Sequence, residues 1–251
     1  MAGRKRRNGQ MLHQAIAEDI GTRILKGEFA PGALLPKEAR WSRKYRMSRT
    51  AVREAIKMLS AKGLIVSRTK VGSRVQPRNR WNLLDREILG WYCQAMDRKR
   101  FLASIQQVRL VIEPEAAALA AMNHSSESMK LIDAAMAEMW AAKSHKDLVA
   151  ADVSFHLSIL QAAGNDLLVP LGFLIETALA NLFDYTVRPK YWRAARPLHE
   201  AIAAAIRQRK PVAARRAVRR LLADTDMIIE RRLAASESRA RKETQLRSLS
   251  H

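Results

Sequence analysis

The sequence predicts a mainly α-helical protein in two parts: three helices closed by a small β-hairpin, then an all-α bundle of six to seven helices. Three observations carry that prediction. From Phe101 onward the chain is rich in Ala, Leu, Met, Arg and Glu, its apolar residues recur at helical period, and strand signals are absent. One stretch, LIVSRTKVGSRVQP (64–77), sets β-branched residues around a basic turn, as a hairpin does. And 48% of the 251 residues are hydrophobic, enough for packed cores rather than global disorder.

The elements follow in order. Leu12, Ile16, Ile20 and Ile24 stand at fourfold spacing and make one apolar face of a helix over 11–27. Gly27, Pro31, Gly32 and Pro36 mark an irregular connection. A short helix runs from about Pro36 to Lys44, with Pro36 suited to its first turn. Ser48 is the N-cap of a third helix that ends near Lys62, with Gly63 as its stop. Val52, Ile56, Leu59 and Leu64 form its buried stripe. Helix, helix, helix, hairpin is the order of a winged helix-turn-helix, placed at 10–77. Residues 78–100 are a junction in which Trp81, Leu84, Ile88 and Trp91 serve domain packing. The bundle occupies 101–237, broken by Pro114, Pro170, Pro189, Pro197, Pro211, Gly164 and the stretch NHSSES. The polar 238–251 is expected to be a disordered tail.

Charge says what the first part binds. The net charge is +21, and residues 1–80 hold 20 Lys and Arg against 5 Asp and Glu. A basic third of this kind suits a polyanion. Ser48, Arg49, Thr50 and Arg53 gather at the start of the third helix, off its buried stripe. Short hydroxyls and helix N-terminal N–H groups suit phosphates, and an arginine fork matches a guanine edge. The GRKRR stretch (3–7) is a candidate arm to phosphate or minor groove. A single cysteine, Cys93, excludes a disulfide framework and fits a reducing cytoplasm. No apolar run is long enough to span a membrane, and no secretory signal is present. HExxH, nucleophile-elbow and paired-carboxylate motifs are lacking, so an enzyme, such as a metal-dependent hydrolase, is not expected. A nonspecific nucleoid-type binder would show little preference among DNA sequences.

The segment LPKEARWSRKYRMSRTAVREAIKMLSAKGLI, with KVGSRV after it, resembles the DNA-binding domain of the GntR family of bacterial regulators. The matching residues are Leu35, Pro36 and Glu38; Ser48, Arg49, Val52, Arg53, Glu54 and Ala55; Leu59, Gly63 and Leu64; and Gly72 in the wing. The resemblance implies DNA contacts at Ser48, Arg49, Thr50 and Arg53 and at the wing around Lys70 and Gly72. There are two departures. The family's arginine after the glutamate is Ala39 here, with Arg40 as the neighbouring candidate on a different helix face. The first wing glycine is Lys70.

Asp152 and His156 lie four apart in ADVSFHLSILQAAGND (151–166), on one face of a helix. The stretches VRLVIEPEAAALAA (108–121), ADVSFHLSILQAAGN (151–165) and LHEAIAAAIRQRKPVAARRAVRRLL (198–222) are similar to the FadR-like (FCD) subfamily. Its helical domain binds an effector and often a metal. The resemblance implies Asp152, His156 and His199 as metal ligands and puts Leu221, which cannot ligate, at the fourth position. Asp224 lies one turn on. Such a set suits Zn²⁺ first, then Mn²⁺ or Ni²⁺, or else hydrogen-bonds the effector directly. Arg109 joins them as a carboxylate fork, with an intrahelical pair to Glu113 as the plain alternative. RNRWNLLDREILGW (78–91) is similar to the junction of sugar-acid regulators of the galactonate type. The expected protein is a homodimeric repressor on operator DNA, released by a sugar acid. A hexuronate or dicarboxylate is the alternative effector.

Overall fold

The computed structural model describes residues 2–68, 70–186 and 189–249, with side chains at 12–68, 70–181 and 194–235. The chain divides into two compact units, Met1–Arg98 and Lys99–His251. Each has its own apolar core.

In the first unit, α1 (Ala2–Leu25), α2 (Glu38–Tyr45) and α3 (Arg49–Ala61) are followed by β1 (Ile65–Arg68), β2 (Gly72–Val75) and α4 (Arg86–Ala95). Ile16, Ile20 and Ile24 are buried, whereas Leu12, the first residue of the expected stripe, is 38% exposed. The GRKRR stretch lies within α1, but its side chains fall outside the described ones. Helix α2 begins at Glu38, two residues later than expected, with Lys37 at its N-cap. Ser48 caps α3: its Oγ accepts the Ala51 N–H at 3.2 Å, satisfying a donor that the first helical turn leaves unpaired. Val52, Ala55, Ile56 and Leu59 are buried. The hairpin is antiparallel, with Ile65 opposite Val75 and Arg68 opposite Gly72. Leu34 bridges to Arg74 at its edge. Lys70 takes φ +65°, the left-handed region that a glycine enters at no steric cost.

Of the junction expected over 78–100, residues up to Arg98 belong to the first unit. Trp81, Ile88 and Trp91 share a core with Ile20, Leu59 and Val75. Leu84 does not pack; it is 58% exposed. Hydrogen bonds and ion pairs hold α4 and the chain before it in place. Trp81 Nε1 donates to the Gln76 carbonyl at 2.9 Å. Asp85 accepts from the Glu87 and Ile88 N–H groups as N-cap and takes Lys62 Nζ at 2.8 Å on both oxygens. Lys62 also reaches Glu87 at 2.6 Å. Gly21 leaves room for the Trp91 ring, since a Cβ there would stand 2.6 Å from it. The apolar spacing of α4 shows that one face is buried, not which unit buries it.

Among the described residues the second unit has six helices: α5 (Arg98–Asn123), α6 (Ser126–Ala141), α7 (His145–Ala162), α8 (Gly172–Thr186), α9 (Pro189–Arg207) and α10 (Pro211–Leu249). Ser125 and Ser144 cap α6 and α7. Pro211 opens α10, and Gly164, at φ +68°, follows α7. Pro114 and Pro197, expected as breaks, instead lie inside α5 and α9. An internal proline forfeits one helix hydrogen bond, at a cost of about 3 kcal/mol. In α5 this is outweighed by burial of the flanking face, where Ala116, Ala117, Ala120 and Ala121 let α5 approach Phe155, Ile159 and Leu222 in one core. The expected tail at 238–251 is carried by α10 as helix to Leu249. Ala, Arg, Glu, Lys and Leu favour helix, and no Gly or Pro follows Pro211 to stop it.

The helix ends of this unit cap one another. Asn123 Nδ2 donates to the Ala163 carbonyl at the end of α7 (2.8 Å). Arg209, at φ +54°, donates to the Met122 and His124 carbonyls at the end of α5 (2.9 and 3.0 Å). Both satisfy carbonyls that helix ends leave unpaired. Asn123→Ala should therefore cost about 1 kcal/mol and lower Tm by a few degrees. An unchanged melting curve would show that water replaces the cap. No helix of the described residues is long and apolar enough to cross a membrane.

Candidate functional site

Two sites emerge, one in each unit. In the first, Arg49 begins α3 and stands exposed beside its cap, Ser48, and the exposed Thr50. Arg49, Arg53, Lys70 and Gly72 line one cleft of about 820 Å³ between α2, α3 and the hairpin. Two cationic residues that the sequence reading did not single out, Lys37 and Arg68, line it as well. Ser67 and Ser73, cross-strand partners with hydroxyls 2.9 Å apart, lie there too. Arg53 is paired with Glu38 at 3.3 Å, an exposed pair that is worth little and yields readily to another anion. Arg40 is exposed on α2 and, like Ser48 and Thr50, is not part of the cleft lining. Lys37 and Arg68 were legible only as charges; their place in the cleft comes from the approach of the hairpin to α2.

The second site is buried. Helix α5 supplies Arg109 and Glu113, α7 supplies Asp152 and His156, and α9 supplies His199, all at or below 6% exposure. His199 Nε2 lies 3.1 Å from Asp152 Oδ1, and His156 Nε2 lies 3.8 Å from the same oxygen. The other ring nitrogens are spoken for. His199 Nδ1 faces the Ala195 carbonyl at 2.9 Å, and His156 Nδ1 faces Glu113 Oε2 at 2.8 Å. Both partners are acceptors, so each Nδ1 donates, and in the neutral ring each Nε2 keeps its lone pair. Two such lone pairs and a carboxylate oxygen then converge, with ligand atoms within 4.8 Å of one another. That arrangement calls for a proton or a cation between them. The donor set, one carboxylate and two imidazoles each oriented by a second group, fits a divalent ion such as Zn²⁺ with positions left open.

Electrostatics agree. Burial by itself would push the Glu113 carboxyl up, but the Arg109 guanidinium and the His156 ring pull it down to about 2. Burial likewise opposes ionisation of Asp152, yet a proton held on His199 Nε2, which then donates to Asp152, together with the His156 ring and the Arg109 guanidinium, holds it below the usual carboxylate range. Arg109 gives Nε and Nη2 to Glu113 (2.6 and 3.5 Å) and Nη1 to Gln106 Oε1 (3.1 Å). Three of its five N–H bonds are thus used, leaving one on each terminal nitrogen.

Leu221 lies in the apolar core and offers no donor. Asp224 faces a different groove, lined with Leu198, Ala201 and Arg220 between α9 and α10. The sequence reading gave Glu113 no role beyond its pair with Arg109. It missed Gln106 and Asp226, which bond to each other at 2.7 Å. The spacing 106, 109, 113 marks one helical face and could have revealed the first two. Asp226 comes from far along the chain, with no sequence signal.

The chain matches the family described as "Bacterial regulatory proteins, gntR family" over residues 12–75, and the "FCD domain" over residues 104–224. It is 34% identical over 218 residues to the uncharacterised HTH-type transcriptional regulator YieP of Escherichia coli, covering 86% of this chain and 94% of that one. It is 32% identical over 172 residues to the galactonate operon transcriptional repressor of Escherichia coli, covering 68% of this chain and 75% of that one. Among solved structures it aligns with Lar, which controls the expression of the Listeria monocytogenes agr system. The TM-score is 0.61 at 18% identity, over 88% of this chain and 97% of that one, which speaks to the fold alone.

Proposed function

The chain belongs to the gntR family of bacterial regulatory proteins, with an FCD domain of the FadR-like subfamily, and on that premise we propose that it represses sugar-acid catabolism genes until a galactonate-like acid releases it. It is a transcriptional regulator and not an enzyme. The observation that carries the proposal is the buried convergence of Asp152, His156 and His199 beside the Arg109 guanidinium. A carboxylate suits the two remaining Arg109 donors, and hydroxyls suit a metal's open positions or the imidazoles themselves. The similarity to a galactonate operon repressor supports the same ligand class.

In this reading Asp152, His156 and His199 hold a divalent metal, Zn²⁺ first and Mn²⁺ or Ni²⁺ next, which would supply a Lewis-acid anchor for the acid. Arg109 orients the carboxylate. In the cytoplasm, a homodimer places one α3 helix in each half-site of a pseudopalindromic operator. Arg49, Arg53, Lys70 and Gly72 face the groove, Ser48 and Thr50 stand at the helix start, and Lys37 and Arg68 add phosphate contacts. The effector binds one arrangement of the protein better than the operator-bound one and shifts the population away from DNA.

A thermal-shift screen of sugar acids, hexuronates and dicarboxylates, before and after chelation, tests this. An acid at 100 times its Kd adds about 2.7 kcal/mol. Stabilisation by galactonate or a close epimer, lost on chelation, is the expected result. A shift with a dicarboxylate alone would overturn the sugar-acid assignment. His199→Ala should keep operator affinity within about threefold while losing effector-driven release, since the groove-facing residues lie in the other unit. Full release by the variant would move the pocket elsewhere.

A further inference from the structure

We infer that Glu113 is the positioning residue of the buried site: one carboxylate holds His156 in the orientation that turns Nε2 toward Asp152 and holds the Arg109 guanidinium in place. The inference deepens the metal-and-effector reading above and rests on it, although its first test does not need a metal.

The argument begins with an asymmetry between the two histidines. His199 is oriented by a backbone carbonyl of its own helix, that of Ala195, at 2.9 Å. No side-chain substitution removes that partner. His156 has no such anchor on Nδ1; the group there is Glu113 Oε2 at 2.8 Å, reached across from α5 to α7. The orientation of His156 therefore depends on one side chain. That side chain is itself fixed, because Glu113 Oε1 takes Arg109 Nε at 2.6 Å on the same helix. The whole group is buried, so water cannot stand in cheaply for a lost partner.

Both carboxylate oxygens must accept for this to work. His156 Nδ1 approaches one, and Arg109 approaches both. A glutamine at this position has one oxygen and one NH₂. If the oxygen meets Arg109, the NH₂ meets His156 Nδ1, which must then accept. The ring proton moves to Nε2, and the metal donor is lost. If the oxygen meets His156, the NH₂ opposes the Arg109 N–H groups. Glu113 thus sets, with one group, the donor atom of His156 and the direction of the anion-binding fork. The fork continues outward: Arg109 Nη1 binds Gln106, whose Nε2 binds Asp226 of α10 at 2.7 Å.

The test is Glu113→Gln in the full chain. Ring-nitrogen NMR of the metal-free protein at pH 8, with His156 assigned by its own substitution, should show protonated Nδ1 in the parent. The variant should gain a population with protonated Nε2. Zn²⁺ affinity, measured by competition with a chromophoric chelator, should fall about 10- to 100-fold. Glu113→Asp, which keeps both oxygens, should restore the parent ring signals in part; if the glutamine protein does not fold, the parent decides, and a His156 ring protonated on Nε2 there would overturn the inference. Unchanged ring signals together with Zn²⁺ affinity within twofold of the parent would overturn the inference. A parent that binds no Zn²⁺, Mn²⁺ or Ni²⁺ would overturn the metal reading alone, and the ring tautomer would still decide the role of Glu113.

Discussion

Arg49→Ala is expected to weaken operator binding by about 1–3 kcal/mol in each half-site, at least roughly 30-fold in Kd for the dimer, and to relax base preference at one position of each half-site. The residue opens α3, stands exposed, and lines the same cleft as Arg53, Lys70 and Gly72. Because it is exposed, its loss should leave the fold of the unit intact, so a weaker complex reports on contact and not on stability. The salt dependence separates two roles. If Arg49 bonds a base edge, the slope of log K against log salt stays nearly constant while discrimination falls. If it neutralises a phosphate in each half-site, the slope drops by about two for the dimer and all sequences weaken together. Arg49→Lys keeps the charge but not the planar fork, so it should recover the slope without the base preference. Arg40→Ala, outside the cleft lining, should change Kd less than threefold. Fluorescence anisotropy at several salt concentrations reads all three. Unchanged affinity in Arg49→Ala would mean that another face meets the DNA.

Gly63→Ala should destabilise the first unit by about 3 kcal/mol or more, for two reasons that add. Gly63 takes φ +76°, where a Cβ costs about 1–2 kcal/mol. That Cβ would also stand 2.5 Å from the Arg80 carbonyl oxygen, a backbone atom that cannot rotate aside. The chain would have to lift at 80–82, where Trp81 enters the core and the Asn82 N–H donates to the Lys62 carbonyl at 3.3 Å. Moving it loosens the Lys62 contacts with Asp85 and Glu87 that seat α4. For a unit of this size, 3 kcal/mol is on the order of 10–20 °C in Tm. Gly27 provides the comparison: it has φ +85° with open space around it, so Gly27→Ala should show the conformational cost alone. Calorimetry of the two variants measures the difference. Equal losses would mean that the approach of Arg80 to Gly63 adds nothing.

These two predictions stand on different kinds of legibility. Arg49 and Ser48 could be assigned from the sequence because they are local. A cap, the first turn behind it and an apolar stripe at helical period all lie within a dozen residues, so spacing alone says which side chains face out. The Gly63 effect needs the structure, since the backbone it would strike belongs to a segment that reads as a linker. Trp81, Ile88 and Trp91 announced a buried face but not the core that takes it. The same division runs through the buried site. Asp152 and His156 were legible as an i, i+4 pair, and His199 through family resemblance. Their common oxygen, the pairing of His156 with Glu113, and the link from Gln106 to Asp226 were not.

Residue pattern along the chain therefore sets the order and type of the elements, the charge that marks the first unit for DNA, and the chemical kinds of residue that can meet an effector. Helical period, capping and composition act between near neighbours along the chain. Packing between distant segments sets which element closes which core, why Pro114 and Pro197 stay inside helices, and which acceptor each histidine faces. Those outcomes depend on burial shared between segments that are far apart in sequence. The free energy of such packing outweighs local preference wherever the two disagree.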